Sequence, residues 1–122
     1  MPIIDIELVC ESEAEFATAS VRALADAIGH ALGSEPGHTW ARLRFLASAA
    51  YAENQATVEG ADLPAFVTVQ HAHPPIGEAL ATEALALTLA VAQCLARAPG
   101  RVHVQYAPAA AGRQAFGGML VR

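Results

Sequence analysis

The sequence predicts an α+β fold in which two tandem β-α-β units form one four-stranded mixed sheet with two helices on one face. Two observations predict it. Each half of the chain contains an alternating segment, a helical segment and a second alternating segment in that order. Pro2 and Pro64 stand at corresponding places at the start of the two halves. Right-handed β-α-β connections then place both helices on the same face.

The length of the chain indicates its domain organisation. Its 122 residues amount to about one domain, which is too short for two independent cores. We therefore expect a single domain over residues 1–122, made of a pseudo-repeat of residues 1–62 and 63–122. Residue identity between the halves is slight, so independent evolution of the same element order stays an alternative.

The first half begins with a strand and a helix. In residues 3–9, apolar and acidic side chains alternate with the period of two that is typical of a sheet with two different faces. Ser12 and Glu15 form a capping-box pattern, and apolar or small residues recur at every fourth position from 16 to 32. This pattern predicts one helix that ends near Gly33.

A second alternating segment, residues 39–46, closes the first unit. Residues 47–63 contain short polar and small side chains and predict a connecting loop. The alternation separates two sets of side chains, with Ala41, Leu43 and Phe45 on one side and Trp40, Arg42 and Arg44 on the other.

The second half repeats these elements. Residues 65–70 predict a strand, residues 76–95 a helix and residues 101–106 the closing strand. Residues 112–121 predict a short additional edge strand. The uncharged stretch 84–96 is shorter than the roughly 20 residues that a membrane-spanning helix needs, so we interpret it as part of a buried helix.

The composition argues against several classes of partner. The formal net charge is −5 and none of the 7 basic residues is a lysine, so the chain lacks a basic surface for a nucleic acid or an anionic membrane. Hydrophobic residues make up 54% of the chain and charged residues 16%. This apolar surplus favours burial between the subunits of an oligomer.

Cysteine usage and the first residues bear on location. Cys10 and Cys94 form neither a metal-ligand spacing nor a disulfide framework. The strand pattern starts at once, without a basic region followed by an apolar signal segment. We therefore expect a cytoplasmic protein.

Three features of the sequence together carry a resemblance to a known family. They are the start Met1-Pro2-Ile3-Ile4, the duplicated β-α-β length, and the segment Arg101-Val102-His103-Val104-Gln105-Tyr106. Over nearly its whole length the chain resembles the tautomerase superfamily, which includes oxalocrotonate tautomerase, carboxymethyl-hydroxymuconate isomerase, chloroacrylic acid dehalogenases, malonate semialdehyde decarboxylase and macrophage migration inhibitory factor. The resemblance implies the tautomerase fold, a homotrimer and a small carboxylate substrate, with no cofactor or metal.

Pro2 is the residue that the resemblance makes catalytic. Removal of Met1, which processing enzymes favour before a proline, exposes a cyclic secondary amine. An unperturbed α-amino group has a pKa of about 7.7–8.0, and desolvation disfavours its charged form, so the pKa moves towards the pH at which a base works best. Pro64 has its nitrogen in an internal amide, so one active site per chain is expected. A proline that merely begins an edge strand is the structural alternative.

Arginine and histidine supply the other candidate groups. Arg42 falls where oxalocrotonate tautomerase has a strand arginine that polarises the substrate, and Arg44 is a second possible carboxylate anchor. An ion-pair face is the alternative for both. His103 and Gln105 match a tyrosine and an asparagine that, in the migration inhibitory factor group, reach the proline of the neighbouring subunit. The resemblance makes His103 a hydrogen-bond donor or second acid, and an intersubunit structural contact is its alternative.

Further candidates lie at the edges of the expected pocket. Arg113 and Phe116 belong to the C-terminal segment, where the same group places an aromatic ring over the pocket, and Tyr51 is a weaker counterpart from the first half. Core or trimer packing is the alternative for all three. Glu35 departs from the family pattern, because it stands about where migration inhibitory factor has a lysine, and an acidic rim weakens carboxylate binding.

A histidine group raises a different possibility. His71, His73 and His103 are near enough in the predicted sheet to form a metal site, but no acidic or cysteine partner is evident. Ala72 and Pro75 stand where the cis-type dehalogenase carries arginines, which argues against that dehalogenase chemistry.

The sequence leaves three functions open. The first is a keto-enol tautomerase in which Pro2 transfers the proton and His103 polarises the carbonyl. In it, Arg42 or Arg44 holds the carboxylate. The second is a hydratase, dehalogenase or decarboxylase in the same pocket, because a fold does not choose among chemistries. The third is a non-catalytic binding protein similar to macrophage migration inhibitory factor, in which Met1 is retained.

Overall fold

Four strands form one sheet in the order β2-β1-β3-β4 in a computed structural model that describes residues 2–122. β1 runs parallel to β2 and antiparallel to β3, and β3 runs parallel to β4. The predicted α+β class and mixed sheet are confirmed. Met1, whose removal is expected from the sequence, lies outside the described residues. The strands are β1 Ile3–Cys10, β2 Trp40–Ala47, β3 Ala65–Gln70 and β4 Val102–Tyr106.

Alternation along the strands decides which face of the sheet is buried. On β1, Ile4 and Ile6 are fully buried, whereas Asp5 between them is partly exposed. The helices α2 (Val21–Ala31) and α3 (Glu78–Leu95) both pack on the buried face, as predicted. The apolar core that joins sheet and helices includes Ile4, Ile6, Leu24, Ile28, Val67, Val69, Leu87 and Val91.

The prediction of one continuous helix in the first half is wrong. A short helix, α1, spans Glu13–Phe16, and α2 begins only at Val21. Ser20, which the four-residue spacing placed inside the helix, is the N-cap of α2, and its side-chain oxygen accepts a hydrogen bond from the backbone N–H of Ala23 at 3.1 Å. Serine favours this place because the first N–H groups of a helix have no carbonyl partner within it.

The helix α3 is long and apolar. Its 18 residues have a mean hydropathy of 1.4, so by length and composition alone it is able to cross a membrane. In the structure it packs against the sheet through the buried Leu87, Val91 and Leu95, while Leu85 and Leu89 are exposed. Only 22% of this helix is buried within the single chain, so packing on the sheet accounts for one side of it, and the absence of a membrane partner stays a prediction.

The last part of the chain forms a hairpin of its own. Among the described residues, β5 (Ala115–Phe116) and β6 (Met119–Leu120) pair with each other and not with the main sheet. The prediction that residues 112–121 add an edge strand to the main sheet is therefore wrong. Gly117 and Gly118, at φ 56° and 88°, form the turn, because a two-residue hairpin loop of this kind needs positive φ at both positions.

Candidate active site

The strand register arranges the predicted site residues in rows across the face of the sheet that is turned away from the helices. Successive rows are two residues apart, which is roughly 6.6 Å along a strand. We call the end of the sheet that carries Pro2 the proline end, and the opposite end, which carries His103, the histidine end. From the proline end to the histidine end the rows are Trp40, Ile3 and Gln70, then Arg42, Asp5, Thr68 and Gln105, then Arg44, Glu7, Phe66 and His103.

Pro2 is buried at the proline end. Its carbonyl oxygen accepts a hydrogen bond from the backbone N–H of Trp40 at 3.1 Å. The Trp40 ring meets the Phe116 ring edge-on, with 5.1 Å between the ring centres and 88° between the planes. Pro2 itself is buried, and burial disfavours a charged amine.

The segment of residues 107–116 crosses the proline end. Beside β3, the backbone N–H of Ala110 donates to the carbonyl of His71 at 2.8 Å. At β2, Phe116 contacts the tryptophan ring. Because β1 lies between β3 and β2, the segment passes across the start of β1. Arg113, whose side chain is exposed, lies in this segment and is thereby placed at the proline end.

The histidine end is polar and more exposed. The exposed His103 ring lies 5.6 Å from the Phe66 ring, and the Phe66 ring lies 5.9 Å from that of Tyr51. The Tyr51 hydroxyl donates to Oε2 of Glu53 at 2.5 Å, and Arg101 pairs with the same oxygen. The hydrogen bonds from Tyr51 and Arg101 lower the pKa of Glu53, whereas burial and the Glu53 carboxylate raise the pKa of Tyr51.

Pro2 and His103 are not brought together within one chain. His103 shares a row with Glu7, which lies five residues further along β1 than Pro2. At 3.3 Å per residue the two are roughly 16 Å apart along the strand direction, and two strand spacings separate them across the sheet. A site that contains both residues therefore requires a second copy of the chain.

Arg42 already has a partner in its own chain. Its Nε donates to Oδ1 of Asp5 at 2.6 Å and its Nη2 to Oδ2 at 2.8 Å. The hydrogen bond from Arg42 lowers the pKa of Asp5. Because the Arg42 side chain is 66% exposed, water screens the pair, and a substrate carboxylate is able to compete with Asp5.

The other predicted polar residues are exposed. Arg44 stands opposite Glu7 at the histidine end, and Gln105 stands opposite Thr68 in the middle row. Within residues 2–122, neither Arg44 nor Arg113 makes an ion pair within 4.0 Å. Their guanidinium groups are thus free of carboxylate partners in this part of the chain.

Glu35, the predicted acidic rim residue, lines a surface cleft of about 490 Å³ between α2 and the turn that precedes β2. Asp26 and His30 line the same cleft. Two carboxylates around one cleft disfavour an anionic ligand. The cleft is thus a poor place for a carboxylate substrate.

Sequence reasoning missed a cluster of three polar side chains. Nε2 of His71 and Oε2 of Glu83 lie 2.9 Å apart, and the Tyr106 hydroxyl donates to the same oxygen at 2.7 Å. The His71 and Glu83 side chains are 14% and 15% exposed. Burial, followed by the hydrogen bond to Glu83, raises the pKa of Tyr106. No local sequence signal links these residues, because the contact depends on where α3 rests on the sheet.

The histidines considered as a metal site have separate partners. His71 contacts Glu83, whereas Nε2 of His73 lies 2.9 Å from the carbonyl oxygen of Arg122. His103 lies at the histidine end. In the part of the chain that the structure describes, no group of three or more metal-ligating side chains is suited to a metal ion.

Solved structures with the same architecture were found. A wild-type fused 4-OT, described as a symmetric trimer, is 22% identical over 98% of this chain and 94% of its own, with a TM-score of 0.73. Macrophage migration inhibitory factor from Oncomelania hupensis is 19% identical over 100% of this chain and 83% of its own, with a TM-score of 0.70. A malonate semialdehyde decarboxylase inhibited by 3-bromopropiolate is 17% identical over 94% of this chain and 90% of its own, with a TM-score of 0.66.

No protein-family model and no curated protein matches the sequence. The three structures are of tautomerase superfamily members, and the likeness extends over nearly the whole chain. The chain therefore has the tautomerase superfamily fold, with the two β-α-β units of the sheet covered by helices on one face.

Proposed function

We propose that the chain is a cytoplasmic tautomerase that needs no cofactor and moves a proton between carbon and oxygen of a small keto or enol carboxylate. The observation that carries the proposal is the burial of Pro2 at an aromatic end of a tautomerase-type sheet. Removal of Met1 converts the Pro2 nitrogen from an amide into a secondary amine. Because Pro2 is buried, desolvation keeps a useful fraction of that amine neutral near pH 7.

The proton transfer needs a base and a stabilised oxygen. The lone pair of the Pro2 nitrogen takes the proton from the carbon beside the carbonyl, so that a C–H bond breaks and an N–H bond forms. The electron pair moves onto the carbonyl oxygen, which a hydrogen-bond donor stabilises. The ammonium form of Pro2 then returns the proton to another atom of the conjugated system. We assign the donor role to His103.

Because Pro2 and His103 lie far apart within one chain, the proposal includes a homotrimer in which the histidine end of one chain meets the proline end of its neighbour. The exposed Trp40, with 41% of its surface accessible in the single chain, supports an assembly that covers this face. The solved 4-OT structure of the same fold is a symmetric trimer.

The carboxylate anchor that we favour is Arg113. Its segment crosses the start of β1, and Phe116 from the same segment contacts Trp40 there. Arg42 is less suited because Asp5 already occupies its guanidinium. Arg44 lies at the histidine end, so it reaches a substrate at Pro2 only from a neighbouring chain.

The experiment that tests the proposal combines intact mass spectrometry with a matched pair of variants. Mass spectrometry of protein from the native host should show loss of Met1. Pro2→Ala should lower kcat for phenylenolpyruvate or 2-hydroxymuconate on the order of 10²–10⁴-fold, because general acid–base help has this size. Pro64→Ala changes the corresponding proline of the second half, whose nitrogen is an internal amide, and should leave kcat near that of the wild type.

Two results would contradict the proposal. Full retention of Met1 would favour a non-catalytic binding protein. Turnover of 3-chloroacrylate without turnover of the enol substrates would favour hydration or dehalogenation in the same pocket.

A further inference from the structure

The cluster of His71, Glu83 and Tyr106 lies at the proline end, on the helix-facing side of the sheet. Tyr106 ends β4 and pairs with Val69 in the register, and His71 directly follows β3. Glu83 reaches both from α3. The cluster therefore closes the end of the sheet from the side of the helices.

The register places His71 across from Pro2. Ile3 pairs with Gln70 in the antiparallel β1–β3 ladder, and Pro2 and His71 are each one residue beyond that pair. Residues opposite each other in an antiparallel pair have Cβ atoms roughly 4.5–5.5 Å apart. Pro2 has the same strand parity as the buried Ile4, and His71 has that of the buried Val69. Both side chains thus point to the helix-facing side.

The imidazole of His71 is held from several directions. Its ring stacks on Tyr106 at 12° with 6.2 Å between ring centres, and its backbone carbonyl accepts from Ala110 at 2.8 Å. Nε2 lies within hydrogen-bond distance of the Glu83 carboxylate. A ring fixed in this way has one defined orientation, as a positioning group needs.

The contacts of Glu83 distinguish the two ring nitrogens of His71. The Tyr106 hydroxyl donates to Oε2 of Glu83 at 2.7 Å, and Nε2 of His71 lies 2.9 Å from the same oxygen, so Nε2 is the nitrogen that Glu83 engages. Among residues 2–122, no hydrogen bond is formed to the other ring nitrogen, Nδ1.

We propose that His71 is a positioning residue for Pro2, in which Nδ1 accepts a hydrogen bond from the freed Pro2 amine while Glu83 and Tyr106 fix the ring. This inference rests on the proposed function of Pro2. The contact aims one N–H of the ammonium form at His71 and leaves the other for the substrate. Proton return therefore occurs from a single orientation of the pyrrolidine nitrogen.

Two amide substitutions of His71 test the roles of its two ring nitrogens separately. In His71→Asn the amide oxygen stands near the place of Nδ1, whereas in His71→Gln the amide nitrogen stands near the place of Nε2 and still reaches Glu83. We expect His71→Gln to lower kcat by about tenfold or more with little change in KM. His71→Asn should recover part of that loss despite its broken contact with Glu83.

Pro2→Ala, measured in parallel, separates the two ideas. If Pro2→Ala is inactive and His71→Gln keeps the wild-type kcat, the role of His71 is overturned and the function of Pro2 stands. If Pro2→Ala is fully active, both are overturned. Equal loss of kcat in both His71 variants, together with a matching fall in Tm, would show a structural role only and would also overturn the inference.

A measurement on the wild-type protein does not depend on how the variants fold. Nitrogen NMR of protein with labelled histidine should show His71 as the Nε2–H tautomer, with a shift of Nδ1 that changes when Pro2 is alkylated. A proton on Nδ1 in the free protein would contradict the inference.

Discussion

The proline end and the histidine end of the sheet differ in burial and in polar content. At the proline end, Pro2 is buried, and the rings of Trp40 and Phe116 meet beside the start of β1. At the histidine end, His103 is exposed, and an ion pair between Glu53 and Arg101 lies close to it. Desolvation suits a base that must lose charge, whereas exposed donors suit a surface that another subunit covers. A site shared between two chains, as proposed above, needs this difference between the two ends.

The two halves of the pseudo-repeat also differ in what they contribute to the proposed site. Pro64 is buried at the start of β3 in the place that corresponds to Pro2, yet its nitrogen is an internal amide and cannot act as a base. The second half instead contributes His103 and, through residues 107–116, the cover of the proline end. Duplicated elements thus perform different tasks in the proposed site.

The largest loss of activity that tests the difference between the two ends is expected from a substitution at the histidine end. His103→Ala should lower kcat on the order of 10²-fold or more with a smaller change in KM, because a donor to the developing enolate acts in the transition state. His103→Phe keeps a ring against Phe66 and is the matched control for packing. It should be as inactive as His103→Ala while keeping the same trimer mass by light scattering. Wild-type kcat in either variant would remove the histidine end from the chemistry.

A smaller effect separates Arg113 at the proline end from Arg42 in the middle row. Arg113→Ala should raise KM by roughly tenfold, since hydrogen bonds to a charged group contribute about 1.5–3 kcal/mol. Arg42→Ala should change KM less, because its guanidinium is already paired with Asp5. Steady-state kinetics with one enol substrate measures both. The opposite order of effects would assign the carboxylate to Arg42.

The smallest effect concerns stability in alkali. Burial and a carboxylate raise the pKa of Tyr51 at the histidine end and that of Tyr106 at the proline end. Because both folded-state values exceed the unfolded value near 10, the unfolded chain loses its protons first as the pH rises. The free energy of unfolding should be unaffected below about pH 10 and should fall above it, and denaturant titrations measure this. Tyr106→Phe should remove more of the fall than Tyr51→Phe, and an unchanged fall in both variants would contradict the assignment.

Much of the fold could be predicted from the sequence because burial follows simple periods. Strand alternation identified the buried face at Ile4 and Ile6, and the lengths of the segments indicated two β-α-β units. The interruption of the first helix could not be predicted, because Ser20, four residues after Phe16, fits either a helix interior or a cap. Packing of Phe16 against Phe45, with 5.5 Å between ring centres, accompanies the break.

The site was less predictable, because its contacts depend on register and on assembly. The alternating acidic residues of β1 and arginines of β2 do contain a signal for the pair of Asp5 and Arg42, but only the observed parallel register selects it. The contact of His71 with Glu83 depends on the position of α3 over the sheet. The roles predicted for Pro2 and His103 stay predictions, since they concern a partner chain.

Mixing of inactive chains tests the shared site most directly. Pro2→Ala chains and His103→Ala chains are each expected to be inactive, and they are combined under conditions in which mass spectrometry shows subunit exchange. If Pro2 and His103 come from different subunits, random trimers regenerate some sites with both residues intact, so the mixture should gain activity above the sum of the two variants. No gain despite confirmed exchange would contradict the account that the proline end of one chain works with the histidine end of another.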